Sequence, residues 1–345
     1  MTARSTLTPH MAAYMEKFAD SGDIRWMPYL MYFHPAAHKS SVISTDPAGF
    51  RYSEVRGWPY SVADRGDCPS VRLLAGSSTV FGIGASADKW TLPSRLSEND
   101  PRPEPWLNYG GRSFNSTQEL LLLTLYRHLL PEVKEIVLFS GFNDLGLARL
   151  PASLRGDSGA FFNCREFFDA LAARDKRQQG GMFGLAKRLV GADEPRAEED
   201  TSAMTLAQQI DYASGLTLRH LRTWNAVAKD MGAKLTFVLQ PLSGWVRPTG
   251  SKEEEALFTE LEQAGRFTET YGDILTREVC LEYGKALERG ARDMGVGFLN
   301  MAPILAERLK PSDWLFVDRI HFTDWGHDFV AKTLLEALQT QGDIK

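Results

Sequence analysis

Four short blocks in this chain carry residue types able to act together on a carbonyl carbon. Gly76-Ser77-Ser78-Thr79 ends one apolar run, and Asn108-Tyr109-Gly110-Gly111-Arg112-Ser113 ends a second. Gly141-Phe142-Asn143-Asp144 follows a third, and Asp318-Arg319-Ile320-His321 stands near the far end of the chain. A serine hydroxyl is a poor nucleophile near neutral pH until a base takes its proton. His321 is a candidate base for Ser78, and Asp318, three residues upstream, can fix the tautomer of its ring. Charge building on a substrate oxygen needs donors aimed at it. The candidates are the backbone N–H of Ser78, a backbone N–H of the second block (Gly111 or Ser113) and the side-chain amide of Asn143. That amide donates without having to titrate.

Elements must bring these distant residues together. Five apolar runs read as buried parallel strands: Val71–Ala75, Trp106–Tyr109, Glu135–Phe139, Lys234–Leu239 and Gly297–Asn300. Runs apolar on both faces that alternate with helical patterns predict an α/β fold, a three-layer α/β/α sandwich around a five-stranded parallel sheet. In such folds ligands bind beyond the carboxyl ends of the strands. The first three blocks lie just past a predicted strand, and the fourth follows the last strand by a short helix, Pro303–Leu309, and a loop. Helices are expected at Ser116, where Ser116-Thr117-Gln118-Glu119 reads as a capping box, over Thr201–Lys229, over Glu254–Arg292 with a break near Thr270-Tyr271-Gly272, and from an N-cap at Thr323.

In content and order the four blocks resemble the SGNH hydrolases, also called GDSL esterases, whose signature centres on Ser, Gly, Asn and His. The resemblance covers Val71 to Gln339. It implies a flavodoxin-like sheet of order 2-1-3-4-5, Ser78 as nucleophile, Asn143 as the third-block asparagine, Asp318 and His321 as the dyad, and neither cofactor nor metal. Two departures stand out. Ser77 replaces the aspartate of Gly-Asp-Ser. Counting from Asn108, Ser113 occupies the place of the oxyanion glycine, with Gly111 the alternative. A literal Gly156-Asp157-Ser158 also occurs, but no apolar run leads into it and it falls out of order, so it reads as an exposed turn. Arg155-Gly156-Asp157 is likewise turn composition.

Other residues are weighed against plain structural roles. Phe142, Trp245 and Arg247 follow strands and are expected to line or rim the pocket. Arg112 or Arg247 is a candidate to engage an anionic part of the substrate. His327 reads as a surface or core-edge histidine on the last helix. His34 and His38 have i, i+4 spacing, but Pro35 lies between them with no acidic partner, so no metal is expected.

The totals bound the function. A length of 345 residues, 43% hydrophobic and 24% charged, suits a globular protein with a sizeable core. A net charge of −5 gives no basic footprint for nucleic acid and no polybasic membrane patch. The first residues lack a signal-peptide pattern, and Cys68, Cys164 and Cys280 are too scattered for a disulfide framework. A cytoplasmic location is expected. Residues 1–70 read as an N-terminal extension packed on the main domain, with a small hairpin of Val42–Thr45 and Gly49–Tyr52 around Asp46-Pro47-Ala48. Residues 71–345 form the catalytic unit, with an insertion at about 151–200 holding a short amphipathic piece, Met182–Val190, and a charged loop, Ala192–Asp200. The expected activity is hydrolysis of a small-molecule ester, with a short acyl group such as acetyl on a sugar or another small polar molecule, through an acyl-serine intermediate. An acyltransferase using the same residues is the alternative. A non-catalytic binding protein retaining the fold is the second.

Overall fold

The computed structural model describes residues 2–18, 25–155, 161–162, 204–265 and 267–343. The chain opens with helices α1 (Ala3–Leu7) and α2 (Met11–Lys17) and two antiparallel hairpins, β1 (Arg25–Met27) with β2 (Met31–Phe33) and β3 (Ser53–Val55) with β4 (Trp58–Tyr60). The hairpin expected around Asp46 is reduced to isolated bridges, Lys39 with Ser44 and Thr45 with Arg51. The cause is Asp46 itself. Its Oδ1 accepts the N–H groups of Ala48, Gly49 and Phe50 at 2.8, 2.8 and 3.0 Å, and its Oδ2 accepts Ala63 N–H at 2.9 Å. A carboxylate that gathers nearby N–H groups offers the backbone an alternative to a ladder.

The main sheet holds β5 (Ser70–Gly76), β6 (Trp106–Gly110), β7 (Glu132–Ser140), β8 (Lys234–Leu239) and β9 (Gly297–Asn300). Its order is β6-β5-β7-β8-β9, and every pairing is parallel. Counted within the sheet that is 2-1-3-4-5, as the family resemblance implies. The inner strands are buried on both faces, from Val71 to Gly76 and from Glu135 to Ser140, which explains their unbroken apolar runs. Helices cover the sheet: α3 (Ser78–Phe81), α4 (Leu92–Asn99), α5 (Ser116–Tyr126), α6 (Phe142–Leu147), α7 (Ala152–Arg155), α8 (Leu206–Asp230), α9 (Ser243–Val246), α10 (Lys252–Gly265), α11 (Phe267–Tyr271), α12 (Arg277–Asp293), α13 (Met301–Ala306) and α14 (Asp324–Asp343). Helices α5, α8 and α12 pack together, and α4 packs on α14. The molecule is a three-layer α/β/α sandwich.

Several helix boundaries shift from expectation. The capping box of α5 uses Asn115 and Gln118, because Asn115 is extended and its side chain accepts Gln118 N–H. Ser116 and Glu119 point into the core instead. Helix α8 starts after Thr205, which forms a reciprocal cap with Gln208. The segment between α10 and α12 breaks as expected, with a turn of 3-10 helix at Gly272–Leu275. Helix α13 begins at Met301 because Asn300 caps it, two residues ahead of the expected Pro303. Met182–Val190, Ala192–Asp200, Gly156-Asp157-Ser158 and Cys164 lie outside the described residues. Among those described, no helix is long and apolar enough to cross a membrane.

Residues before β5 are built into this framework. Arg51 is fully buried. Its Nε donates to Asp88 Oδ1 at 2.8 Å, Nη1 to Gly82 O at 2.9 Å and Nη2 to Val42 O at 2.7 Å. The Tyr14 hydroxyl accepts from Arg51 Nη1 and lies 2.6 Å from Ala85 O.

Candidate active site

Strand β5 delivers Ser78 through Gly76. A Cβ at Gly76 would sit 2.1 Å from Phe139 O, so only glycine lets the chain turn this close to β7. Ser78 is the first residue of α3, with extended Ser77 as its N-cap. The Ser78 hydroxyl lies 2.8 Å from His321 Nε2, and His321 Nδ1 lies 2.7 Å from Asp318 Oδ2. Asp318 Oδ1 accepts the N–H groups of Ile320 at 2.8 Å and His321 at 2.7 Å. The Asp-x-x-His turn therefore organises itself, one carboxylate oxygen holding the backbone and the other the ring. Burial pushes the Asp318 carboxyl up, but His321 and these two N–H groups outweigh it and hold the group below its ordinary value. An ionised Asp318 leaves the proton on Nδ1, so Nε2 accepts from the Ser78 hydroxyl.

The first three blocks also hold N–H groups to compare as donors. Ser78 N–H heads α3 and has no intrahelical partner. Gly111 N–H is already spent on Gly76 O at 2.9 Å. Ser113 has φ 58° and is partly exposed, and its N–H carries no hydrogen bond among the described residues. Asn143 Nδ2 donates to Phe114 O at 2.6 Å, which leaves a second amide hydrogen. The blocks are also tied to one another. Asn108 Nδ2 donates to Phe81 O at 3.2 Å, Ser77 Oγ to Gln240 Oε1 at 3.2 Å and Ser243 N–H to Arg319 O at 3.0 Å.

The remaining expected site residues fall elsewhere. Trp245 is buried, and its indole N–H donates to Ile274 O at 2.7 Å. Arg247 Nη1 donates to Lys310 O at 2.9 Å and its Nη2 to Glu254 Oε2 at 2.7 Å, clamping a loop to α10. Arg112 is buried, with its guanidinium on Phe18 O and 5.7 Å from the Tyr32 ring centre. Phe142 packs in the core against Tyr271. His327 is neither at the surface nor at the core edge. It is wholly buried behind Phe322, and burial and the nearby Arg51 push it down to about 3. His34 bonds to backbone rather than to His38: its Nδ1 lies 3.0 Å from Gly49 O and its Nε2 accepts Arg112 N–H at 3.0 Å. Among the described residues, no group of three or more His, Cys, Asp or Glu is placed to hold a metal ion.

A buried polar network behind Asn143 has no counterpart in the sequence reading. The Ser116 hydroxyl donates to Asp144 Oδ1 at 3.0 Å and accepts from His220 Nδ1 at 2.7 Å. Thr217 donates to Asp144 Oδ2 at 2.8 Å, and Ser140 donates to Glu119 Oε1 at 2.7 Å. Burial pushes Asp144 up to about 6, against the hydrogen bonds from Thr217 and Ser116. Burial raises Glu119 well above its ordinary value too, and the neighbouring Asp144 adds to the rise. The signal available in sequence was Asp144, which sits in the third block without an assigned role.

No protein-family model matches the sequence, and a comparison with curated proteins gives no match. Solved structures do align. An acetyl xylan esterase aligns at 11% identity and a TM-score of 0.39, over 77% of this chain and 98% of that one. A member of the lipolytic G-D-S-L family from Veillonella parvula aligns at 12% identity and a TM-score of 0.42, over 77% and 97%. A mutant of an acetyl-xylooligosaccharide esterase from Geobacillus Stearmophilus aligns at 12% identity and a TM-score of 0.41, over 77% and 93%.

Proposed function

We propose that this chain is a serine hydrolase of the SGNH type that cleaves a carboxylic ester through an acyl-serine intermediate. The observation that carries the reading is the continuous relay from Ser78 Oγ to His321 Nε2 and from His321 Nδ1 to Asp318, at 2.8 and 2.7 Å.

Each step uses a group already in place. His321 Nε2 takes the Ser78 proton as the oxygen attacks the substrate carbonyl, and the resulting imidazolium is held by ionised Asp318. The tetrahedral oxyanion lies against Ser78 N–H, Ser113 N–H and the free amide hydrogen of Asn143. Collapse expels the alcohol, protonated by His321. Water then attacks the acyl carbon as it gives a proton to the same ring, and on collapse the bond to Ser78 Oγ breaks, Oγ takes that proton back from His321, and the acid leaves. In this reading the acyl group is short, as with an acetyl ester of a sugar or other small polar alcohol. The aromatics beside the blocks, Phe142 and Trp245, are committed to the core. An acyltransferase differs only in the second nucleophile.

The test pairs wild type with Ser78→Ala. Fluorophosphonate should label wild type at Ser78, and turnover of p-nitrophenyl acetate should fall by at least about a thousandfold in the variant. Melting temperature should hold, because among the described residues the Ser78 hydroxyl bonds only to His321. Equal turnover by the two proteins would end the reading. Adding alcohol acceptors and following ester formation separates transfer from hydrolysis.

A further inference from the structure

We propose that Tyr32 and His34 are positioning residues that hold the Ser113 peptide N–H open toward the substrate oxygen. This rests on the acyl-serine reading and adds to it the part played by residues before β5.

Tyr32 lies in β2 and His34 just beyond it, two residues apart and therefore on one face of an extended chain. His34 Nε2 accepts Arg112 N–H at 3.0 Å, and the Tyr32 hydroxyl donates to Ser113 O at 3.2 Å. These two anchors bracket the peptide unit between Arg112 and Ser113. Its N–H carries no hydrogen bond among the described residues, whereas Gly111 N–H is bound to Gly76 O and Arg112 N–H to His34. Ser113 sits at φ 58°, where a side chain is disfavoured and glycine is the usual residue. Side-chain anchors on both sides supply what glycine would otherwise permit.

The His34 ring has one usable orientation. Its Nδ1 faces Gly49 O at 3.0 Å, and a carbonyl only accepts, so Nδ1 carries the hydrogen and the Nε2 lone pair meets Arg112 N–H. Gly49 is itself fixed by Asp46 Oδ1 at 2.8 Å. The ring packs at 3.9 Å between centroids on Phe81, within the helix that Ser78 begins, and at 4.5 Å on Phe33. One imidazole thus touches both the nucleophile helix and the oxyanion loop. Burial and the Arg112 charge hold the ring down to about 3, so it keeps its acceptor lone pair throughout the working pH range.

The experiment compares wild type, Tyr32→Phe, His34→Leu and His34→Gln. Active sites are counted by end-point titration with fluorophosphonate, and kcat and KM for p-nitrophenyl acetate are expressed per titrated site. His34→Leu should lower kcat per site by about a hundredfold, the scale of losing one oxyanion donor, with KM little changed. Tyr32→Phe, which removes only a hydroxyl, should lower kcat per site with no loss of titratable sites. His34→Gln retains an acceptor for Arg112 N–H and should recover most of the rate. The rate ratio of oxygen ester to thionoester should fall in His34→Leu and Tyr32→Phe, which a fold defect alone would leave unchanged. Wild-type kcat per site and an unchanged ratio in both would overturn the anchoring. Wild type that takes no label at Ser78 would instead sink the acyl-serine reading, and the anchoring with it.

Discussion

Arg51 Nη1 donates to the carbonyl of Gly82 at 2.9 Å, so a buried cation closes the helix that begins at Ser78. Its other donors reach Asp88, Tyr14 and Val42. The guanidinium therefore joins α2, the loop before β3 and the turn that carries Ser78 at one point. Arg51→Met should cost about 3–5 kcal/mol of unfolding free energy, the scale for breaking a buried pair while leaving its partner behind. Urea denaturation reads the loss. Arg51→Lys should recover little of it, because a single ammonium cannot satisfy a planar fork of acceptors.

Asn143 has one amide hydrogen on Phe114 O and one to spare. Asn143→Ala should lower kcat by about 10²–10³-fold if the spare hydrogen meets the oxyanion. Steady-state kinetics per titrated Ser78 gives the number. A loss confined to KM would assign Asn143 to ground-state binding instead.

Ser113 offers a test of opposite sign. Ser113→Gly keeps the backbone N–H and relieves the left-handed backbone, which costs a non-glycine residue on the order of 1 kcal/mol. Activity should stay within about threefold of wild type. Stability should change by less than about 1 kcal/mol, since glycine also gains freedom in the unfolded chain. A large fall in kcat would mean that the Ser113 side chain itself takes part.

The buried titratable groups set a pH dependence of stability. His34, His220 and His327 are pushed down, chiefly by burial, to about 3, 4 and 3 from 6.5. Between these values and 6.5 the unfolded chain binds protons that the folded rings refuse. Stability contributed by the neutral rings is therefore lost on acidification, by about 1.4 kcal/mol per pH unit for each. Asp144, up at about 6, and Glu119, raised well above its ordinary value by burial, act in the opposite sense, because the folded state keeps their protons. Two carboxyls cannot offset three rings, so stability still falls on acidification near pH 5.5. His34→Gln removes one ring and should flatten the slope. Denaturant midpoints at pH 5 and 6 measure both proteins.

The sheet and the relay were legible for physical reasons. Strands buried on both faces must be apolar throughout, so Val71–Ala75 and Glu135–Phe139 announce themselves. The first three blocks then fall where parallel strands deliver their carboxyl ends, and the fourth follows β9 by a short helix and a loop. Trp245 and Arg247 misled because the same rule was extended to side chains: helix α9 turns them toward Ile274 O and Lys310 O instead. Tyr32 and His34 were illegible because they bond to backbone carbonyls and N–H groups, which have no sequence identity, and Arg51 because its side-chain partners, Tyr14 and Asp88, each lie 37 residues away. Ser116 was misread as a cap because its hydroxyl is taken by Asp144 and His220, while Asn115, one residue earlier, accepts Gln118 N–H.

Asp318 grips its own turn and the imidazole with separate oxygens. The imidazole and the carboxylate therefore form one rigid piece. The link from the imidazole to Ser78 is the one that joins distant parts of the chain, whereas the link to the carboxylate lies within a single turn. A substitution that tilts α3 should therefore break the relay at Ser78 and leave the imidazole–carboxylate pair assembled.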